Sequence, residues 1–344
     1  MDSVKEYTCP NCKAGVEFNP ESQKWKCNYC FSEFNENEVD VIYEENKEAG
    51  QESLEDLNSY NCTSCGAELI ADDTISATFC IYCKSHSIIK SRFSGQFAPQ
   101  SVIPFKVGKK EAQEIYTKWI GKKRFAPKNF KNKTEIEKIT GIYVPFWLFD
   151  NNVKGHIEGE GTKVRTWSDK DYKYTQTKYY SILREGTAKY NGVPVDGLKK
   201  LDDSLMMGIE PYNYDELSSF SMKYMTGFMA EKYDVDAKEA STVVSERVKQ
   251  YMSSRLKQTV SGYNSFTQNS NKVTITNMEH SYAMLPIYLL VNKHEDKKYE
   301  FIINGQTGKI IGDAPIDRTS QLKFALLIFI ISWLIYVFGG ALFV

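Results

Sequence analysis

Residues 9–30 read CPNCKAGVEFNPESQKWKCNYC, and residues 62–83 read CTSCGAELIADDTISATFCIYC. Each is Cys-x2-Cys-x14-Cys-x2-Cys, the second repeats the first at an offset of 53 residues, and together they hold all eight cysteines of the chain. A Cys-x2-Cys pair folds as a tight knuckle that turns two thiolates toward one ion. The 14-residue spacer brings the chain back as a short hairpin carrying the second pair. Cys9, Cys12, Cys27 and Cys30 are therefore expected to hold one zinc ion, and Cys62, Cys65, Cys80 and Cys83 a second, with Zn–S near ~2.3 Å. Four thiolates leave no position for water, so both ions are expected to be structural. A segment of about 35 residues buries too little apolar surface to fold alone. Metal binding, on the order of 10–16 kcal/mol in small zinc peptides, is expected to supply the folding energy.

Paired thiols behind a polar start, MDSVKEYTCP, predict no secretory signal and a reducing compartment. The 344 residues suit two or three folded units, and 22 Tyr with 19 Phe suit a packed core containing β-structure. Lys and Arg total 43 against 44 acids, so no global polycation points to nucleic acid. Residues 1–95 carry eight basic against seventeen acidic side chains, a net charge of −9. Phosphate backbones need Lys and Arg, so this surface is expected to repel DNA and to favour protein contacts.

At the other end, residues 324–344 read FALLIFIISWLIYVFGGALFV, with no charge. At 1.5 Å per residue this spans about 31 Å, the thickness of a hydrocarbon core. A single C-terminal transmembrane helix is expected, a tail anchor. Arg318 and Lys323 precede it and no charge follows, which predicts that the bulk of the chain faces the cytoplasm.

Between lies an expected α+β domain with an antiparallel sheet. Its start, Val102-Ile103-Pro104-Phe105, reads as a short strand, and the basic stretch that follows reads as a helix stopping near Phe125-Ala126-Pro127. Residues 106–133 hold ten basic residues against Glu111 and Glu114. That is either a solvated helix face or a contact with anionic headgroups or with the acidic residues 33–58. Two apolar runs, YVPFWLF at 143–149 and MLPIYLLV at 284–291, share an aliphatic-proline core and are expected as equivalent strands of two similar lobes. Residues 162–190 alternate as a hairpin would. Val243, Val244, Val248, Tyr251 and Met252 recur at helical spacing and predict a helix covering the sheet. Asn304-Gly305 followed by Gly308 reads as the turn of a closing hairpin, since a phosphate loop would need a G-x4-G-K-[ST] spacing.

His86, His156, His280 and His294 are isolated in sequence, no GxSxG occurs, and no cysteine is left over. The expectation is that the chain is not an enzyme.

Ile103-Pro104-Phe105-Lys106-Val107, Tyr143-Val144-Pro145-Phe146-Trp147 and Asn304-Gly305-Gln306-Thr307-Gly308-Lys309, set between two ribbons and a terminal apolar helix, resemble a bacterial family. Its members are membrane-anchored double zinc-ribbon proteins (transcription-factor-B-type zinc ribbons, YdjG-like), sometimes labelled primosomal helicase-like. The helicase label does not fit, for the chain has no Walker A motif. The resemblance implies an envelope stress setting, with phage-shock and SPFH-like protein partners recruited to the membrane. One departure stands out: Lys13 follows Cys12 where Gly66 follows Cys65, which predicts a looser first knuckle.

The expected fold class is thus multidomain. Zinc ribbon 1 spans residues 1–34, an acidic linker 35–58, zinc ribbon 2 59–95, the α+β cytoplasmic domain 102–316 and the transmembrane helix 324–344. The expected function is a membrane-tethered scaffold or adaptor that docks protein partners at the lipid bilayer. The alternative is a membrane-associated nucleic-acid-binding regulator.

Overall fold

The computed structural model describes residues 7, 9–39, 58–71, 80–82, 88–92, 99–295 and 297–340. Most of the predicted acidic linker lies outside these. Ribbon 1 comprises β1 (Val16–Asn19), β2 (Lys24–Cys27) and β3 (Glu33–Phe34), an antiparallel three-stranded sheet, followed by the one-turn α1 (Glu36–Val39). Ribbon 2 comprises β4 (Asn58–Cys62), β5 (Glu68–Ala71) and β6 (Ile88–Arg92).

The remaining elements run in order from the short β7 (Ser101–Val102) to α2 (Lys109–Gly121), the single turn α3 (Lys133–Ile136), β8 (Thr140–Ser168) and β9 (Lys173–Asp196). Then come α4 (Asp203–Gly208), β10 (Ser218–Ser219), β11 (Met229–Glu231), α5 (Ala237–Gln258), β12 (Ser265–His294), β13 (Lys297–Asn304), β14 (Ile310–Gly312) and α6 (Arg318–Gly340).

Two very long strands organise the body. β8 has 29 residues and β12 has 30, and they pair antiparallel from Leu289↔Thr140 to Ser265↔Thr162. β9 lies along the other side of β8, from Phe146↔Asp196 to Ser168↔Lys173. Where β8 starts, its residues feed two cores. Tyr143, Trp147 and Phe149 pack on one face, while Ile142, Val144, Phe146 and Leu148 pack on the other. Burial on both faces is why 143–149 reads as one continuous apolar run. Beyond Asp150 the strand alternates, with Val153, Gly155 and Ile157 buried and Lys154, Glu158 and Glu160 exposed.

The two apolar runs are neighbours in this one sheet, with Pro145 opposite Met284 and Tyr143 opposite Pro286. The expectation of equivalent strands in two lobes is therefore corrected. Their shared proline has a local cause. On its outer side β8 pairs with β11 at Ile142 and Tyr143 and with β9 from Phe146 onward, and Pro145 falls in the gap. On the outer side of β12, β7 ends at Met284 and β13 begins at Ile287, and Pro286 falls in that gap. A residue without an N–H is tolerated inside a strand where no neighbour needs the donor.

The predicted covering helix is α5, capped by Asp236, whose side chain accepts from the Glu239 amide at 2.7 Å. Ala240, Val244, Val248, Met252 and Leu256 face the sheet, whereas Val243 and Tyr251 point to solvent. The i, i+4 stripe wins over the wider one because the helix meets a nearly flat glycine floor. A Cβ on Gly155 would lie 2.7 Å from Met252 Cγ. In the closing hairpin, Asn304 makes the turn through its side chain, which accepts from the Gln306 and Thr307 amides at 2.9 Å each. Of the turn's two glycines, Gly308 takes the positive φ (+73°) and Gly305 does not.

Candidate metal centres and their docking to the sheet

The sulfurs of Cys9, Cys12, Cys27 and Cys30 all lie within 4.8 Å of one another, as do those of Cys62, Cys65 and Cys80. Cys83 and His86 fall outside the described residues. The Sγ atoms of Cys9 and Cys30 and those of Cys12 and Cys27 are 3.5 Å apart, and those of Cys65 and Cys80 3.6 Å. A disulfide would bring two sulfurs to ~2.05 Å. Tetrahedral zinc with ~2.3 Å bonds sets them about 3.8 Å apart, so the thiol sets fit a metal. Either cluster can hold one ion.

The knuckles that aim the thiols share one hydrogen-bond pattern. The Lys13 amide donates to Cys9 O at 2.8 Å, Gly66 to Cys62 O at 2.8 Å, and Phe31 to Cys27 O at 3.0 Å. In these three knuckles the residue after the second cysteine is left-handed: Lys13 at φ +63°, Phe31 at +62°, Gly66 at +71°. The first knuckle is therefore as tight as the third, contrary to expectation, and Lys13 bears the strain that glycine avoids. The amides of Tyr29 and Cys30 point at Cys27 Sγ (3.4 and 3.5 Å), as a thiolate ligand requires. The Ser32 hydroxyl, 3.3 Å from Cys30 Sγ, is the main cause that lowers the Cys30 thiol to about 6.

Neither ribbon stands alone. In ribbon 1, Phe18 and Trp25 alternate inward from β1 and β2, tilt against each other at a centroid distance of 5.1 Å, and each meet Tyr224 of the large domain at 5.4 Å, Phe18 edge-on and Trp25 tilted. Trp25 Nε1 donates to Lys223 O at 3.0 Å, the Phe18 amide to Thr226 Oγ1 at 3.1 Å, and Gln23 Nε2 to Phe105 O at 2.7 Å. Lys223, 4% exposed, reaches back to Glu36 O at 3.0 Å. In ribbon 2, β5 pairs antiparallel with β11, which pairs parallel with β8, so one sheet runs from the ribbon into the large domain. The Tyr82 hydroxyl, beside the cysteines, donates to the buried Glu231 carboxylate, which Lys200 Nζ approaches at 3.0 Å. Burial pushes the Glu231 carboxyl well above its usual range. Sequence reasoning missed these docking residues. The alternation VEFN and KWKC, which puts large aromatics inside a ribbon too small to bury them, was the available signal.

None of the described histidines joins either thiol cluster. His156 is held between Glu158 and Glu185, 2.7 Å from each, on the open face of the sheet. His280 packs on Trp147 and Phe149, and His294 on Phe130.

Two thiol clusters that can hold metal, built into a multidomain, sheet-rich body that ends in one apolar helix long enough to cross a bilayer, define the class of this chain. It belongs to the family of the Bacillus subtilis (strain 168) protein titled Uncharacterized protein YdjG, to which it is 34% identical over 315 residues, 92% of this chain and 91% of that relative. No family model matches the chain, and no solved structure matches it.

Proposed function

We propose that the chain is a membrane-tethered scaffold, with a structural zinc ion in each ribbon and α6 as a single transmembrane anchor that leaves the bulk of the chain in the cytoplasm. The all-thiolate donor sets support zinc. The apolar character of α6 and its exposed sides support the anchor.

One observation carries the adaptor role. β8 and β9 run on together past Thr162, where β12 stops, and this two-stranded tip exposes Trp167, Tyr172, Tyr174 and Tyr179. Trp and Tyr left in solvent are the residues that anchor protein interfaces. Ribbon 1 buries Phe18 and Trp25 against the large domain and leaves Tyr29 and Phe31 in solvent, two exposed aromatics against the four at the tip, so the tip is the larger docking surface. With 29 residues in β8, it stands roughly 90 Å along the strand from where that strand begins. A scaffold at the membrane gains from such reach, because it holds a partner at high local concentration. The family resemblance adds envelope stress as the setting.

Crosslinked capture of full-length protein from native membranes tests this. A Trp167→Ala, Tyr179→Ala protein that loses a partner kept by the parent chain supports docking at the tip, and an unchanged partner set refutes it. The alternative, a nucleic-acid regulator, draws on Lys163, Arg165, Lys170, Lys173 and Lys178 beside those aromatics. It requires duplex or single-strand affinity that falls steeply with salt.

A further inference from the structure

We propose that the loop of residues 122–133 is a docking surface for anionic phospholipid headgroups, fixing how the large domain sits on the bilayer. The proposal rests on α6 being the anchor. Between Ile115 and Thr134 the chain has seven basic residues and no acid. Lys122, Lys123, Arg124, Lys128, Lys131 and Lys133 are all exposed, and none has an ion-pair partner among the described residues. Lys123 lies 4.9 Å from the Trp119 ring and Arg124 sits over Phe324, but no carboxylate among the described residues neutralises any of the six.

The structure puts that loop against the first turns of α6. The Asp317 amide donates to Phe125 O at 2.8 Å, the Arg124 guanidinium lies 3.6 Å over the Phe324 ring, and Phe125 meets Phe324 at 5.6 Å. Phe324 is half-buried, whereas residues 325–336 are exposed and leave the body at once. Phe324 also begins the uncharged run, whose 21 residues are enough to cross a hydrocarbon core of ~30 Å. Because the charged Lys323 immediately precedes the run, Phe324 sits at the boundary of the hydrocarbon, which sets Arg124 at the level of the lipid phosphates. The acid nearest Phe324 in sequence, Asp317, is engaged in capping α6: its side chain accepts from the Thr319 amide at 3.0 Å and the Ser320 hydroxyl at 2.6 Å, and Glu135, just past the basic stretch, pairs with Lys138 at 2.6 Å. The β12–β13 turn, tied to the loop where Asn129 Nδ2 donates to Lys293 O at 3.3 Å, carries Glu295 and Asp296 between Lys293 and Lys297 and adds no net charge.

The test uses full-length protein in liposomes of phosphatidylcholine alone, or with one third phosphatidylglycerol, and a water-soluble lysine acylating reagent read by mass spectrometry. In the anionic liposomes, labelling of Lys122, Lys123, Lys128 and Lys131 is expected to slow by roughly threefold or more and to recover in high salt. Lys163 and Lys170 at the distant tip should keep their rates. Lys122→Gln, Lys123→Gln, Arg124→Gln protein should lose the protection of Lys128 and Lys131. Equal rates in the two lipids, or equal slowing at the tip, overturn the proposal. A chain that carbonate strips from the liposomes refutes the anchor itself. One that stays but ignores lipid charge refutes the headgroup surface alone.

Discussion

The indole nitrogen of Trp25 donates to the carbonyl oxygen of Lys223, 3.0 Å away across 198 residues of sequence. The bond joins a metal knuckle's own hairpin to the large domain, and Trp25 is only 2% exposed. Trp25→Ala should cost about 3–5 kcal/mol, the range for emptying a large aromatic site. Denaturant unfolding measures it, and thiol reagents should reach Cys27 faster as the ribbon loosens. A variant of parental stability would show that the ribbon is merely resting on the domain.

Lys13 holds the left-handed position that Gly66 holds in the second ribbon. Lys13→Gly should stabilise the protein by about 0.5–1 kcal/mol, because relief of strain outweighs the freedom gained by the unfolded chain. Gly66→Lys should lose a similar amount, although no atom lies within 4 Å of its added Cβ. Chelator competition for the bound metal gives a second readout of both changes.

Gly155 leaves no room for a methyl group beneath α5, where Met252 Cγ and Leu256 Cδ1 would lie 2.7 and 2.8 Å from it. Gly155→Ala should cost about 1–3 kcal/mol by overpacking, read as a lower melting temperature. Gly186→Ala is the matched control, since its nearest neighbours are at 3.6 Å and should absorb the change.

Burial raises the Glu210 carboxyl to about 7 and that of Asp196 to about 6. A carboxyl with a raised folded pKa binds its proton more tightly in the native state. Stability is then greatest below the unfolded value, near 4.5 for Glu210, and declines as pH rises through about 7. Glu210→Gln, which mimics the protonated form, should flatten that decline. Unfolding midpoints between those two pH values measure it, and an unchanged slope would mean the site opens to water.

Much of the metal chemistry was legible because it is local. Two cysteines three apart must form a knuckle wherever the chain places them, and the thiols of ribbon 1 do meet. The apolar run at 324–344 was legible for the same reason. What lay hidden depends on long-range register. The polar halves of β8 and β12 carry glycine, asparagine and charge, weak strand formers held as strands by pairing, β12 with β8 and β8 with β12 and β9. Pro145 and Pro286 looked like signatures of separate lobes because their cause, a gap between neighbouring strands, lies in elements far off in sequence. Arg124 on Phe324 could not be read from a charge count, which gives the sign of a patch and not its place.

Zinc content decides the central claim most directly. Full-length protein purified folded in detergent should carry two zinc ions per chain, and Cys27→Ser protein should carry one while keeping the second ribbon's ion. A folded, monodisperse chain without metal, or a Cys27→Ser protein that still holds two ions, would contradict the assignment.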